Sequence, residues 1–354
     1  MLKRNDKLLF AITAALVAVA AVLQFLHAND VLRFAMAAAA LSMLAMNVSS
    51  GTEQVGAHLN AGTTGVLQAA LGNLPEVLVC AFSLRAGLVG VVQAALIGSI
   101  LANSLLVLGL AIVVGGVKHG RMHFDAEPAR MIASMMMLAV AALTIPTLAA
   151  ELHTPAATHE AALGAACAVL LLVVFLASLR FSLSPDPERS PRHATQATAA
   201  EHWPLPLAIA VLVVASLGAA LVSEWFVSAL EPAIEALHVS QAFAGIVIVA
   251  IAGNAVENVA GVRMAAKNRP NYAMSLILTS SLMIALVVSP VLVLLSFVLG
   301  GPVLTLVMPP LLIAALVLTT LTTTIIVYDG EVIWIEGVAL IGLYGIIAAA
   351  FWLG

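Results

Sequence analysis

Gly72-Asn73-Leu74-Pro75-Glu76 lies in the middle of an apolar run, and its pattern returns at Gly253-Asn254-Ala255-Val256-Glu257. Gly, Asn and Glu hold the same places in both copies. The shift in numbering that takes Gly72 to Gly253, called the repeat offset below, also pairs Ser99 with Ser280 without a gap. A repeat of this length predicts that the chain consists of two duplicated halves.

The composition is that of a membrane protein. Hydrophobic residues make up 62% of the 354 residues and charged residues only 9%, so a soluble domain with a polar surface is excluded. The apolar runs do not alternate with polar residues, which favours helices over a β-barrel. We therefore predict an all-α polytopic membrane protein that lies in a lipid bilayer and has no nucleic-acid partner.

At about 20 apolar residues per span, the chain divides into eleven predicted transmembrane helices. Residues 1–30 form an N-terminal extra helix, retained rather than cleaved as a signal peptide, although cleavage is the alternative. Residues 31–180 and 204–354 are two five-helix repeats, and the Pro-rich, charged segment 181–203 is a cytoplasmic linker. Because five is odd, the second repeat enters the membrane from the opposite face, as in the inverted repeats of secondary transporters. The predicted helices lie near 8–27, 31–58, 62–84, 88–116, 130–150, 160–180, 204–227, 240–266, 271–298, 303–327 and 332–353.

The distribution of Lys and Arg over alternate loops predicts the orientation. Twelve of them fall on one side, and only Arg33 and Arg85 fall on the other. By the positive-inside rule, the N-terminus is cytoplasmic and the C-terminus is external or periplasmic. We expect a bacterial-type cytoplasmic (inner) membrane.

Glu76 and Glu257 lie near the middle of the third and eighth predicted helices. A glutamate at this depth costs roughly 2.5–3.5 kcal/mol on insertion scales unless it faces a hydrated or ion-filled cavity. A pseudo-two-fold axis in the membrane plane would bring the two carboxylates together, and a divalent cation would remove their repulsion. The alternative is that each is a protonated core residue bonded to a neighbouring helix.

The residues around the two glutamates are typical of a calcium site. Calcium takes six to eight oxygen ligands from carboxylates, amides, hydroxyls, backbone carbonyls and water. Gly72, Gly253 and Pro75 could loosen the helices and free carbonyls, but helix packing explains these glycines equally well. The side-chain oxygen donors predicted beside Glu76 and Glu257 are Asn73, Asn254, Ser99 and Ser280.

Carboxylates that bind either protons or a cation provide the minimal mechanism of a proton-coupled antiporter. Two glutamates that lose two protons as one divalent ion binds leave the charge of the site unchanged. Glu53 and Glu224, in the second and seventh helices, are predicted gate or way-station acids, the alternative being a hydrated mouth without a specific role. Gln93 and Asn103 are candidates for the path, or else make helix-to-helix hydrogen bonds.

At this point the sequence resembles the calcium/proton antiporters, the cation-exchanger branch of the calcium/cation antiporter superfamily. The matching motifs are Gly72-Asn73 with Glu76, Gly98-Ser99 leading to Asn103-Ser104-Leu105-Leu106-Val107-Leu108-Gly109, and Gly253-Asn254-Ala255-Val256-Glu257. The second half also matches from Glu231-Pro232 to Ser280-Ser281, and from Asp329-Gly330 to Gly337. The resemblance covers almost the whole chain.

The resemblance implies an eleven-helix fold, calcium bound by Glu76 and Glu257 with backbone carbonyls, and sliding of the second and seventh helices. Three positions depart from the family pattern. Asn258 stands where His is usual, Thr279 replaces a usual glycine, and Met283 replaces a common glutamine. These departures put the ion selectivity in question more than transport itself.

The function predicted first is export of cytoplasmic Ca²⁺ in exchange for external H⁺ by alternating access, with Ca²⁺ as the transported substrate and no cofactor. Sodium/proton or manganese/proton exchange on the same scaffold is the alternative within the class. A passive cation channel and an intramembrane enzyme are the alternatives outside it, and no motif of a zinc helix or nucleophile elbow supports the enzyme. The sequence does not predict the oligomeric state, the stoichiometry or the affinity.

Overall fold

The structure is a computed structural model that describes residues 4–26, 28–59, 61–183 and 203–353. Most of the predicted linker, residues 184–202, lies outside these ranges. Within helices, some side chains also lie outside the described part, and that of Glu257 is among them. These are the side chains of residues 5, 61, 62, 65, 66, 69, 181–183 and 255–257.

The described chain is almost entirely helical. Its helices are α1 (Arg4–Phe25), α2 (Asp30–Gly56), α3 (Ala61–Leu71), α4 (Leu74–Arg85), α5 (Val89–Leu101), α6 (Leu108–His119), α7 (Ala126–Glu151), α8 (Glu160–Leu183), α9 (Leu205–Leu237), α10 (Gln241–Phe243), α11 (Ala250–Gly253), α12 (Ala255–Ala266), α13 (Pro270–Met283), α14 (Ser289–Ser296), α15 (Pro310–Val327) and α16 (Trp334–Leu353). Three π-helical turns continue them, namely π1 (Ala102–Val107), π2 (Ala244–Val249) and π3 (Ile284–Val288). Two short strands, β1 (Met122–His123) and β2 (Glu331–Val332), pair antiparallel.

Among the described residues, nine helical stretches are long and apolar enough to cross a bilayer. The count is ten if the bent pair Gln241–Gly253 and Asn258–Ala266 forms one span. The chain therefore has the predicted all-α polytopic architecture, whereas the count of eleven and the inverted repeats stay predictions. Val89–His119 and Pro270–Ser296 are the most enclosed of the nine, each with 72% of an 18-residue apolar stretch buried, and part of the site lies on them.

The third predicted helix, 62–84, is not continuous, because α3 ends at Leu71 and α4 begins at Leu74. A Cβ at Gly72 would lie 2.6 Å from the carbonyl oxygen of Gln68, so the tight end of α3 requires glycine. Pro75, in the first turn of α4, has no N–H to bond backwards along a continuous helix. The eighth predicted helix is interrupted in the same way, with a bend of 62° at the second motif.

The two breaks have nearly the same backbone conformation. Asn73 precedes α4 with φ −100° and ψ 17°, and Asn254 precedes α12 with φ −104° and ψ 18°. Helix starts also recur at the repeat offset, which takes the first residue of α4 to that of α12 and the first residue of α5 to that of α13. The repeated sequence thus folds into repeated local structure.

Two helix boundaries lie far from their predicted positions. Helix α9 continues to Leu237 rather than ending near 227, since Pro232 is accommodated inside it. Helix α15 begins at Pro310 rather than near 303, because the apolar residues before it are not helical. Backbone carbonyls of this non-helical segment accept hydrogen bonds from a neighbouring helix. Gln93 Nε2 donates to the carbonyls of Thr305 and Val307, at 3.1 and 2.8 Å.

One end of the bundle, where α8 finishes and α9 begins, is called the linker end below. There β1 and β2 join the α6–α7 connection to the α15–α16 connection, and Arg121 Nη1 lies 2.5 Å from Glu331 Oε1. Trp203 ties the start of α9 to α2, because its backbone N–H donates to Gln54 Oε1 at 2.8 Å. The halves are therefore connected at this end by more than the chain between them.

Candidate functional site

Glu76 lies in the first turn of α4, immediately after the break, and its side chain is only 4% exposed. Its Oε1 accepts a hydrogen bond from the hydroxyl of Ser99, on α5. The N-terminal turn of a helix favours negative charge, so the break places a buried carboxylate where backbone dipoles support it.

The second motif lies next to Glu76 and is linked to it through Ser99. Asn254 Nδ2 donates to Ser99 Oγ at 2.9 Å and to the carbonyl oxygen of Ala250 at 3.0 Å. A Cβ placed at Gly253 would lie 3.9 Å from both Cβ and Cγ of Glu76. The two breaks, which lie in different halves of the sequence, therefore meet at one point in the bundle.

Asn103, in π1, extends this polar cluster into α13. Its Nδ2 donates to Ser280 Oγ at 3.0 Å and lies 3.5 Å from Asn254 Oδ1. Its Oδ1 is buried and has no hydrogen-bond partner among the residues that the structure describes, so an acceptor is left over inside the protein. Glu76, Ser99, Asn103, Asn254 and Ser280 are called the Glu76 network below.

Backbone carbonyls add further oxygen atoms next to the network. The last carbonyls of a helix have no partner within it, and α3 and α11 both end at the breaks. Such interrupted helices are the form in which irregular backbone is tolerated at membrane depth, where it lines a cavity. Carboxylate, amide, hydroxyl and carbonyl oxygens are the ligands that calcium prefers.

A cavity of about 530 Å³ leads from the linker end to the network, and it is called the linker-side cavity below. Gly72, Asn73 and Ser280 lie at its inner part, and Glu53 and Tyr272 lie towards the ends of their helices. Sequence reasoning did not single out Gln68 and Tyr272, which also line it. Gln68 is one helical turn before Gly72, so the break motif extended by one turn could have found it.

Glu224 does not share a cavity with Glu53. It lines a separate space of about 480 Å³ at the opposite end of the bundle, together with Arg85 and Glu231. The two predicted gate acids are also not matched by the repeat, because the repeat offset pairs Glu53 with Ile234. Each acid therefore belongs to a different end.

The remaining predicted site residues have distinct positions. Both N–H groups of the Gln93 amide are directed at the non-helical segment before α15, so a path-lining role has no support from its contacts. Asn73 lines the cavity, whereas its counterpart Asn254 is buried in the network. The backbone of Glu257 lies in the first turn of α12, as that of Glu76 does in α4, but its side chain lies outside the described part.

The model of the family described as "Sodium/calcium exchanger protein" matches residues 29–184 and 207–353. The chain belongs to the sodium/calcium exchanger protein family. The Ca(2+)/H(+) antiporter of Synechocystis sp. is 34% identical over 337 residues, covering 90% of each chain. The Ca(2+)/H(+) antiporter ChaA of Bacillus subtilis is 31% identical over 352 residues, covering 98% of this chain and 99% of that relative. The predicted resemblance to calcium/proton antiporters is thereby confirmed.

Solved structures of calcium/proton exchangers have the same fold. The structure of native YfkE, a Ca²⁺/H⁺ antiporter protein, superposes with a TM-score of 0.84 at 30% identity, covering 98% of this chain and all of that one. The H⁺/Ca²⁺ exchanger CAX superposes with a TM-score of 0.74, covering 99% of this chain and 93% of that one, and at 13% identity it supports the fold alone. The polytopic helical fold is therefore that of an exchanger.

Proposed function

We propose that this protein is a secondary antiporter that exchanges Ca²⁺ for H⁺ across a bacterial cytoplasmic membrane. The observation that carries the proposal is the Glu76 network, in which a buried carboxylate at a helix break is hydrogen-bonded to Ser99, which in turn bonds the second break motif, beside an open cavity. The relatives that match nearly the full chain are named as Ca²⁺/H⁺ antiporters, which supports the same reaction.

In this proposal Ca²⁺ enters the linker-side cavity and is bound by the Glu76 carboxylate, the Asn103 oxygen and carbonyls at the helix breaks. Glu257 supplies the second carboxylate, because α12 begins at the second break as α4 does at the first. Two ionised carboxylates neutralise one divalent ion, and two protons on the same carboxylates leave the site with the same net charge. Either loaded form then crosses the membrane field at little cost, whereas each uncompensated charge costs about 2.3 kcal/mol per 100 mV.

The arrangement of cavities supports an inward-open state. Arg180, Lys267 and Arg269 belong to the linker end, which the positive-inside rule makes cytoplasmic. The linker-side cavity then opens to the cytoplasm, while α5 packs tightly on π2 along the opposite route. We propose that Ca²⁺ is loaded from the cytoplasm in this state and that closure here accompanies opening at the other end. A seal on one side is also what separates an exchanger from a passive pore.

The test is Ca²⁺ uptake into inverted membrane vesicles under an imposed pH gradient, for wild type, Glu76→Gln and Glu257→Gln. We expect wild type to accumulate Ca²⁺ and each variant to lose on the order of 100-fold in uptake, since ligand charge sets calcium affinity over several decades. Glu151→Gln is the matched control, because this carboxylate is exposed at the end of α7. Variant amounts in the membrane are compared by immunoblot.

Competition for the same carboxylates gives the experiment a second readout. Protonated carboxylates cannot coordinate, so apparent Ca²⁺ affinity falls as pH falls, by about tenfold per pH unit for each proton released. An affinity that is independent of pH contradicts proton competition at the site. If wild type takes up Na⁺ or Mn²⁺ but not Ca²⁺, the protein exchanges another cation. If the Ca²⁺ gradient is dissipated and Ca²⁺ never accumulates against it, the protein is a channel.

A further inference from the structure

One residue that lines the linker-side cavity is chemically unlike the others. The polar residues of the described lining carry hydroxyl, carboxylate or amide oxygens, whereas Met283 is its one sulfur-containing residue. Met283 follows Ser280 by three residues on α13, so both side chains lie on one face of the helix. Ser280 accepts the hydrogen bond from Asn103, which places Met283 beside the Glu76 network.

The sequence repeat shows a contrast at this position. The repeat offset pairs Met283 with Ala102, which is fully buried and has no donor atom. Thr279, one turn before Met283, corresponds in the same way to Gly98, whose space is filled by the backbone of Ile246. The first half is therefore closed by small residues at the two positions where the second half has Thr279 and Met283, both of which line the cavity.

A thioether is a soft ligand, and Ca²⁺ is a hard cation that takes oxygen ligands. Cd²⁺ has nearly the radius of Ca²⁺ but is much softer, so it distinguishes the effect of donor type from the effect of size. We propose that Met283 sets the cation selectivity of the linker-side cavity, because its sulfur admits soft divalent cations of calcium's size in competition with Ca²⁺. The inference rests on the proposed function, since it names the substrate class of the same site.

The direct test measures equilibrium binding of Cd²⁺ and of Ca²⁺ to the purified full chain in detergent, in chloride-free buffer. Met283→Leu keeps the approximate volume and removes the sulfur, which is a well-tolerated type of change. Met283→Gln replaces the sulfur with a hard oxygen at similar length. We expect Leu to weaken Cd²⁺ binding about fivefold with little change for Ca²⁺, and Gln to shift the Cd²⁺ to Ca²⁺ ratio further, by roughly tenfold.

Cys80 supplies the control, because it is a second buried sulfur one turn after Glu76 on α4. If Cys80→Ser lowers Cd²⁺ binding and Met283→Leu does not, the soft donor is Cys80 and the proposal is wrong. Equal Cd²⁺ to Ca²⁺ ratios in wild type, Leu and Gln also overturn it. Each variant is first checked for a monodisperse elution profile and a cooperative thermal transition.

Transport provides an independent measurement. In vesicles, the Cd²⁺ concentration that halves proton-driven Ca²⁺ uptake should rise about fivefold in Met283→Leu, in step with the binding result. If wild type shows no proton-driven Ca²⁺ uptake, the proposed function fails, while the binding comparison still decides whether Met283 recognises soft cations. The two failures are therefore distinguishable.

Discussion

The two interfaces beside the Glu76 network are related by the sequence repeat but are packed differently. On one side α5 and π2 touch through their backbones. A Cβ at Gly98 would lie 2.7 Å from the carbonyl oxygen of Ile246, and one at Gly245 would lie 2.8 Å from that of Val91. On the other side, the linker-side cavity lies between the end of α3 and the face of α13 that carries Thr279 and Met283. One repeat is closed where the other is open.

This difference bears on the proposed alternating-access mechanism. That mechanism requires that each side can close, so glycine on the closed side and Thr279 on the open side would set how closely the helices approach. Packed interfaces have discrete arrangements rather than a continuous range. Under the proposed mechanism, the closed contact of α5 with π2 separates in every transport cycle and the open contact forms.

The largest expected effect comes from wedging the closed interface with Gly98→Val. The added side chain meets backbone atoms of Ile246, which cannot rotate away as a side chain could. We expect proton-driven Ca²⁺ uptake to fall on the order of 100-fold, because overpacking of this kind costs about 1–3 kcal/mol or more in the closed state.

Gly342→Val on α16 is the matched control for this wedge, since a Cβ there meets nothing within 4 Å. Uptake by this control should stay near wild type. The accessibility of an engineered cysteine at Ala95 to a water-soluble maleimide reports whether the interface has opened. Normal uptake by Gly98→Val would falsify the requirement for a tight seal at this position.

A smaller effect is expected at Asn103, which the repeat does not duplicate, since the repeat offset pairs it with Ile284. Asn103→Leu removes the hydrogen bond to Ser280 and the buried acceptor Oδ1. Apparent Ca²⁺ affinity should weaken about tenfold, in line with the loss of one buried polar contact.

The control for Asn103 is Ser104→Ala, which removes the neighbouring hydroxyl pair with Ser281 at 3.0 Å. This pair is separate from the described contacts of Glu76, so Ca²⁺ affinity should change less than about twofold. Radioactive Ca²⁺ uptake against concentration measures both. Equal losses in the two variants mean that Asn103 acts through helix packing and not as a donor to the ion.

The sequence was a good guide to what the repeat contains. Hydropathy and the repeat offset led to an all-α membrane bundle with its polar residues at matched positions, and the structure brings Glu76, Ser99, Asn254 and Ser280 together. Their role as ion ligands stays a prediction. The reason for this success is physical, because a buried carboxylate in an apolar helix has few tolerable surroundings.

Sequence reasoning was weaker where local pattern does not determine the partner. For Gln93 the sequence left a path position and a helix-to-helix hydrogen bond open. Its partners lie in the apolar segment before α15, which is not helical and which hydropathy alone cannot distinguish from a helix. The sequence did not decide whether Gly72 and Gly253 loosen their helices or only allow close helix packing, since a glycine in a sequence does not show which backbone it approaches. Likewise, nothing in the sequence says which of two equivalent interfaces is closed.

A modest, side-dependent effect is expected for the two gate acids, since they line cavities at opposite ends. Glu53→Gln removes negative charge from the linker-side mouth, and Glu224→Gln removes it from the other. Each should raise the half-saturating Ca²⁺ concentration roughly threefold, and only for Ca²⁺ presented from its own side, because mouth charges concentrate ions locally. The shift should shrink at high salt.

The half-saturating Ca²⁺ concentration is measured in right-side-out vesicles for one side of the membrane and in inverted vesicles for the other. The repeat offset pairs Glu224 with Met43, which carries no charge. We therefore expect no second carboxylate at the matching position to compensate for the loss of Glu224. Equal shifts from both sides for Glu53→Gln indicate that this carboxylate belongs to the shared site, in contradiction to its position in a single cavity.

The smallest effect is expected at the β1–β2 pairing, which joins the α6–α7 connection to the α15–α16 connection at the linker end. Arg121 and Glu331 are 54% and 36% exposed, so their ion pair contributes only about 0.2–1 kcal/mol and is screened by salt. Arg121→Ala should lower the melting temperature by about 2 °C or less and leave uptake near wild type. The strand register, with Met122 opposite Val332, is held by backbone hydrogen bonds that the substitution does not remove. A clear loss of uptake without a loss of stability would mean that this connection moves with the gates, and that the linker end is part of the transport cycle rather than its fixed frame.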